Sequence, residues 1–197
     1  MRIELFGRPY NRTDRVQWTL EELGVEYEYR KLDVFGLEHR KSEFREQYGL
    51  ARLPFVRLDG KVLFESGAIM LVLANEFRST NDLLPQNGTP DYGEVLQWLF
   101  FANSTLDAAD QGMRSNSEPA PFAPLVDVMS FLDTTLATRS HIAASRFTVA
   151  DIALANNLKY TLDSFSEYPH IERYFQTQTS RPAYRRIVAQ PEYKGER

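Results

Sequence analysis

The sequence predicts an α/β domain with the order β-α-β-α-β-β-α, followed by a domain built only of helices. Three observations carry this reading. Asp59-Gly60 stands between the short apolar-rich runs Phe55-Val-Arg-Leu58 and Lys61-Val-Leu-Phe64, the pattern of a two-residue type I′ hairpin. Residues 2–34 read in turn as strand, helix and strand. Beyond the turn-rich segment 79–90 no strand pattern appears, and the apolar runs follow helical spacing.

The elements follow in order. Arg2-Ile-Glu-Leu-Phe6 alternates polar and apolar residues as a first strand, which Gly7-Arg-Pro9 ends. Val16, Trp18, Leu20 and Leu23 recur with a helical period, Gly24 supplies the stop, Glu21-Glu22 read as the exposed side, and Thr13 or Asn11 offers a cap. Val25 to Val34, with Tyr27 and Tyr29 two apart, reads as a second strand and completes a βαβ unit. Gly36 to Gly49 is charged and carries weak helical signals, so a short irregular helix is expected. Pro54 precedes the first hairpin strand, where its missing N–H does least damage and a tight approach can use a cis peptide. After the hairpin, Ala68, Ile69, Leu71, Val72, Leu73 and Phe77 recur at helical spacing, with Ser66 as the expected N-cap. This order of elements is the thioredoxin-like one.

The predicted domains are 1–78 and 89–197, with a linker at 79–88. Val95 to Phe101 is almost wholly apolar, so its helix should be buried on most sides, with most of Trp98, Phe100 and Phe101 in the core. Three prolines in Asn116 to Pro124 interrupt the helices, and Leu125 to Leu136 resumes the period. Thr148-Val-Ala-Asp151 is a capping-box pattern before another apolar run.

Composition excludes several classes of function. The net charge is −4 with scattered Lys and Arg, which gives no support for a nucleic-acid partner. Arg2, Glu4 and Arg8 interrupt the start of the chain, and no apolar run approaches the length of a membrane span, so no membrane partner and a cytoplasmic location are expected. There is no cysteine, which excludes disulfides, CxxC redox chemistry and thiolate metal sites; any sulfur chemistry must arrive with a ligand. His39, His141 and His170 show no metal-ligand spacing, so no metal is expected and His39 reads as a surface residue.

Chemistry concentrates at Glu65-Ser66. A helix start there offers unpaired N–H groups and partial positive charge to a carboxylate, while the Glu65 carboxylate can take an ammonium. Together they suit an amino-acid head group.

Leu53-Pro54 followed by Glu65-Ser66-Gly-Ala-Ile69 closely resembles the N-terminal domain of glutathione transferases. Phe147-Thr-Val-Ala-Asp-Ile152, Tyr168-Pro-His-Ile171 and Ser180-Arg-Pro-Ala-Tyr184 are similar to landmarks of the same family's helical domain, which usually has glycine where Ala144 stands. The resemblance covers nearly the whole chain. It implies that glutathione is the cosubstrate, that Leu53 before Pro54 lends its backbone to the cysteinyl part, and that Glu65 and Ser66 hold the γ-glutamyl group. The family's usual Asn-Pro-x-Gly-x-Val-Pro approach is altered here to Tyr48-Gly-Leu-Ala-Arg-Leu-Pro54, which places Arg52 where it can face the glycine carboxylate.

A free thiol with a pKa of about 8.5 is only slightly ionised at neutral pH, so an enzyme that uses glutathione gains by stabilising the thiolate. In the family the activating residue lies between the first strand and first helix, here Tyr10-Asn11-Arg12-Thr13. Counting back from Gly24, Phe6 falls at the tyrosine position of tyrosine-type members and Tyr10 at the serine position of serine-type members. Tyr10 and Thr13 rank equally as activators, followed by Asn11. Arg12 and Arg15 read as solvated charges, one of which could raise the local potential. The resemblance further implies a small hydrophobic electrophile entering between the domains, a homodimer and a role in detoxification. The alternatives are a glutathione-dependent isomerase or dehalogenase, and a non-enzymatic member used for binding or assembly.

Overall fold

The computed structural model describes residues 1–48, 52–114, 123–161, 166–190 and Tyr193. The chain divides into two compact units: Met1–Asn81 together with Pro182–Arg197, and Asp82–Arg181. In chain order the elements are β1 (Ile3–Gly7), α1 (Thr13–Leu23), β2 (Glu28–Lys31), a 3₁₀ turn (Glu38–Arg40), α2 (Ser42–Tyr48), β3 (Phe55–Leu58), β4 (Lys61–Phe64) and α3 (Ser66–Glu76). They continue with α4 (Pro90–Phe100), a π-helical turn (Phe101–Leu106), α5 (Asp107–Arg114), α6 (Leu125–Leu136), α7 (Val149–Thr161), α8 (Pro169–Thr179) and α9 (Pro182–Val188).

The first unit is built on a four-stranded sheet of order β2-β1-β3-β4, with β1 parallel to β2 and antiparallel to β3. This is a thioredoxin-like arrangement, as the sequence predicts. The Asp59-Gly60 turn has φ of 46° and 88°, the positive values that a type I′ hairpin needs at both central positions. β2 is shorter than the predicted Val25–Val34 stretch, because it lasts only where β1 lies beside it, from Glu4↔Glu28 to Gly7↔Lys31. On one face Phe6 and Phe55, paired across β1 and β3, stack with ring centroids 4.5 Å apart. Leu32 completes that cluster, and Phe44 of α2, Leu53 and Val62 pack against it.

Helix α1 is buried between neighbours, which changes the role of its polar residues. Gly24 ends it with φ 65°. Asn11 accepts the Thr13 N–H on Oδ1 at 2.7 Å and the Asp14 N–H on its carbonyl at 3.1 Å, so it serves the helix start although Arg12 occupies the N-cap position. Glu21 and Glu22 are not a bare solvent face. Glu21 accepts from the Tyr27 hydroxyl at 3.0 Å and pairs with Arg186 of α9 at 2.8 Å, and Glu22 accepts from the Trp18 indole at 3.0 Å. Gln17, fully buried, donates to Tyr27 at 3.0 Å and to Gln190 at 2.9 Å. Trp18 packs on Tyr184 of α9 at 4.6 Å. Arg15, read from sequence as a solvated charge, is also buried, because α9 and α3 both pack on this helix.

The second unit is helical in all its described elements. Thr89 caps α4 through the Tyr92 N–H, with Pro90 in its first turn. Trp98 is buried as expected, but Phe100 is 64% exposed because it lies on the opposite side of α4 from Val95 and Leu99. Part of the proline-rich 116–124 stretch lies outside the described residues. Helix α7 is buried from Val149 to Leu158. The predicted capping box is present at its start: Asp151 Oδ2 accepts the Thr148 N–H at 2.9 Å, and Thr148 Oγ1 accepts the Ala150 N–H at 3.3 Å.

Candidate functional site

The hairpin register builds the site. Phe55 pairs with Phe64, so the residues just before β3 and just after β4 come to the same end of the sheet. There Arg52, Leu53, Pro54, Glu65 and Ser66 line one small cavity together with Arg12 and Phe64. Its volume of about 50 Å³ holds one charged head group, so a longer ligand seated there would extend out along the open rim. The Leu53-Pro54 peptide is cis. Residues 49–51 of the altered approach lie outside the described residues.

Ser66 is not the N-cap that its position in the sequence suggests; it is the first residue of α3, and Glu65 occupies the cap position. Glu65 accepts the Ile69 N–H on its carbonyl at 2.9 Å, the first bond of the helix, while its side chain makes no capping bond. Its backbone has φ 69° and ψ 108°, outside the ordinary left-handed well. Such strain costs about 1–3 kcal/mol and is held where surrounding structure imposes it, often at binding sites. Here the imposed geometry joins β4 to α3 without an intervening loop, leaving an exposed carboxylate beside the buried Ser66. Among the described residues neither side chain makes a hydrogen bond.

The β1–α1 loop contributes only Arg12 to this cavity. Tyr10 has φ 62°, donates its hydroxyl to the Tyr193 carbonyl, and packs on that residue's ring at 4.7 Å. Thr13 is fully buried against Gly7, and its Oγ1 accepts the Arg8 N–H at 3.3 Å. Asn11 is half-buried with Oδ1 held by the Thr13 N–H, so its side-chain N–H₂ remains available as a donor. Nearby, burial first, then the charge of Asp14 and the proximity of Tyr10, push the Tyr184 phenol well above its usual range. His39 is half-buried in the 3₁₀ turn, not in the cavity. Among the described residues no group of three or more His, Asp or Glu is placed to hold a metal ion.

Two family models match the chain: the glutathione S-transferase N-terminal domain over residues 1–75 and the glutathione S-transferase C-terminal domain over residues 124–182. The chain belongs to the glutathione S-transferase family. Glutathione S-transferase 3 of Zea mays is 26% identical over 95% of this chain and 93% of its own length. Elongation factor 1-gamma 3 of Oryza sativa subsp. japonica is 27% identical over 85% of this chain but only 44% of its own length, so the chain spans less than half of that relative. Among solved structures, glutathione transferase URE2P8 from Phanerochaete chrysosporium, crystallised with oxidized glutathione, shares the fold with a TM-score of 0.79. It is 22% identical, with 94% of this chain and 92% of that chain covered.

In this member of the glutathione S-transferase family, Phe64 is the cavity residue that the sequence reading does not single out, and Arg12, which that reading takes as a solvated charge, also lines the cavity. Phe64 was accessible by counting four residues outward from each side of Asp59-Gly60, which pairs it with Phe55 beside Pro54. Arg12 carries no such signal, because an arginine at a helix start reads equally as a surface charge.

Proposed function

We propose that the first unit binds glutathione in the cavity at Glu65 and Ser66, and that the protein is a glutathione S-transferase acting on a small hydrophobic electrophile. The match of charges carries this reading. Glutathione has two carboxylates and one ammonium group; the cavity wall has two guanidiniums, Arg12 and Arg52, and one carboxylate, Glu65. The ammonium lies on Glu65, the γ-glutamyl carboxylate on the Ser66 hydroxyl, the start of α3 and Arg12, and the glycine carboxylate on Arg52. The Leu53 backbone holds the cysteinyl part.

With the Tyr10 hydroxyl engaged by Tyr193 and Thr13 sealed, Asn11 is the loop residue that holds the thiolate, through its side-chain N–H. Lowering a thiol pKa by two units requires about 2.7 kcal/mol of preference for the anion. One or two hydrogen bonds to a charged sulfur, at about 1.5–3 kcal/mol each, are of that size. The family resemblance also brings a homodimer and a cytoplasmic location into this reading.

Calorimetric titration of glutathione into wild type, Ser66→Ala, Glu65→Gln and Arg12→Gln tests the site. Each variant should bind roughly tenfold more weakly or worse. No binding to wild type at millimolar glutathione overturns the reading.

A second reading is favoured by the name elongation factor 1-gamma among the relatives: a glutathione S-transferase-like module used for binding or assembly rather than catalysis. Glutathione consumption with 1-chloro-2,4-dinitrobenzene separates the two. Binding without turnover across an electrophile panel supports the module, and product analysis distinguishes conjugation from isomerisation or dehalogenation.

A further inference from the structure

A second cavity opens at the carboxyl ends of the two parallel strands. β1 and β2 run side by side as far as Gly7↔Lys31, and the Leu32 N–H continues the ladder to the Gly7 carbonyl at 2.9 Å. Beyond that pair the two segments enclose a cavity of about 350 Å³, which shares no lining residue with the one at Glu65 and Ser66. Small-molecule sites begin at about this size, and ligands of open α/β sheets favour this end of the strands.

Phe35 and Arg8 give the cavity its chemistry. Phe35 is 78% exposed, yet the turn that displays it is firmly tied. The Gly36 N–H donates to Asp33 Oδ1 at 2.8 Å, the Asp33 N–H donates to Glu38 Oε2 at 2.8 Å, and Leu37 takes φ 59° to close the loop. A Cβ on Gly36 would fall 2.3 Å from Asp33 Oδ2, so any larger residue there must displace the carboxylate that ties the turn.

Arg8 is fixed from its own side. Its backbone N–H donates to Thr13 Oγ1 and its Nε donates to the Pro9 carbonyl at 3.1 Å. The guanidinium is thereby set 4.6 Å from the Phe35 ring centroid. Among the described residues its two terminal nitrogens make no hydrogen bond or ion pair. The two carboxylates in the wall, Asp33 and Glu38, each accept a backbone N–H with one oxygen, and among the described residues neither pairs with Arg8. Lys31 adds a second positive charge to the same wall, so the two cations balance the two carboxylates and Arg8 is the cation set against the ring.

A displayed aromatic face beside a positioned guanidinium with its fork open is complementary to a ring that carries an anionic group. We propose that this cavity binds an aromatic carboxylate, its ring against Phe35 and its carboxylate on the terminal nitrogens of Arg8. The site goes beyond the glutathione reading and does not depend on it.

The test is a fluorescence titration of the full chain with 2-naphthoate, in buffer without glutathione, against 2-naphthalenemethanol as the neutral ring and cyclohexanecarboxylate as the anion without an aromatic face. The acid should bind roughly tenfold or more tightly than the alcohol. Arg8→Gln should erase that preference, Arg8→Lys should restore only part of it, and Phe35→Ala should weaken both naphthyl ligands. Melting curves establish that each variant is folded, and the unmodified chain already supplies the acid-against-alcohol comparison. Equal affinity for acid and alcohol overturns the proposal, as does unchanged naphthoate binding in Arg8→Gln and Phe35→Ala, or no binding of naphthoate at millimolar concentration. Failure of glutathione to bind leaves each of these outcomes readable, because Arg8 and Phe35 lie outside the Glu65 cavity.

Discussion

The Tyr174 hydroxyl donates to Oδ1 of Asp151 at 2.9 Å, joining α8 to the first turn of α7 inside the helical unit. The same carboxylate takes the Ile142 N–H at 2.8 Å, the Thr148 N–H at 2.9 Å and the Thr148 hydroxyl at 3.2 Å. Tyr174→Phe should therefore destabilise the protein by about 1–3 kcal/mol, the cost of leaving a buried acceptor short of a donor. Urea unfolding should show a lower midpoint with an unchanged slope. Burial pushes the Asp151 carboxyl above its ordinary value, against the hydrogen bonds it receives. Between those two values the folded state keeps a proton that the unfolded chain has lost, so this group's contribution to stability falls as pH rises through that window.

Glu94 should act with the opposite sign. Burial tends to raise its pKa, but the Ala144 N–H at 2.8 Å and the Arg139 guanidinium at 2.7 Å together hold it below the ordinary glutamate value of 4.5. A depressed carboxyl contributes stability above its unfolded pKa and loses it as pH falls through the folded value. Wild type should thus lose more stability than Glu94→Gln on acidification from pH 4.5 downward. Parallel curves for the two proteins in acid-dependent unfolding would rule this out.

Gly7→Ala should be destabilising because of one neighbour. The new Cβ would lie 2.2 Å from Oγ1 and 2.3 Å from Cγ2 of Thr13, which is fully buried and has nowhere to turn. A loss of about 1–3 kcal/mol is expected for such overpacking. In a double-mutant cycle, Thr13→Ala should recover part of it, and strict additivity of the two changes would contradict the contact.

Glu65→Gly separates stability from binding. Glycine relieves a backbone at φ 69° and ψ 108°, so the variant should be as stable as wild type or more so, by up to about 1 kcal/mol. Glutathione affinity should fall roughly tenfold with the lost carboxylate. A variant that is both less stable and equally tight in binding would show that the strained carboxylate has a structural role instead.

Much of the fold was legible because it rests on local signals. Asp59-Gly60 fixed the hairpin and its register, Gly24 fixed the end of α1, and the apolar period of Leu125 to Leu136 coincides with α6. The convergence of Leu53, Pro54, Glu65 and Ser66 follows from that same hairpin. What was not legible depends on distant partners. Arg15 and Gln17 sit on a helix whose polar pattern suggests a solvent face, and only the packing of α9 and the contact with Gln190 explain their burial. Tyr10 reads as an available hydroxyl until Tyr193, 183 residues away, takes it. Ser66 missed its cap role by one residue, because the β4–α3 junction turns at Glu65 through a conformation that glutamate seldom adopts.

The grip of α9 on α1 also sets an order of events during synthesis. Glu21 meets Arg186 across 165 residues and Gln17 meets Gln190 across 173, so α1 lacks these partners until the whole helical unit has been made. Domains generally fold as their residues emerge, but here α1 must wait for partners made 165 and 173 residues after it. A fragment cut after Asn81 would contain the complete sheet and still leave Trp18 and Gln17 uncovered, which makes the first unit inseparable from the chain that follows it.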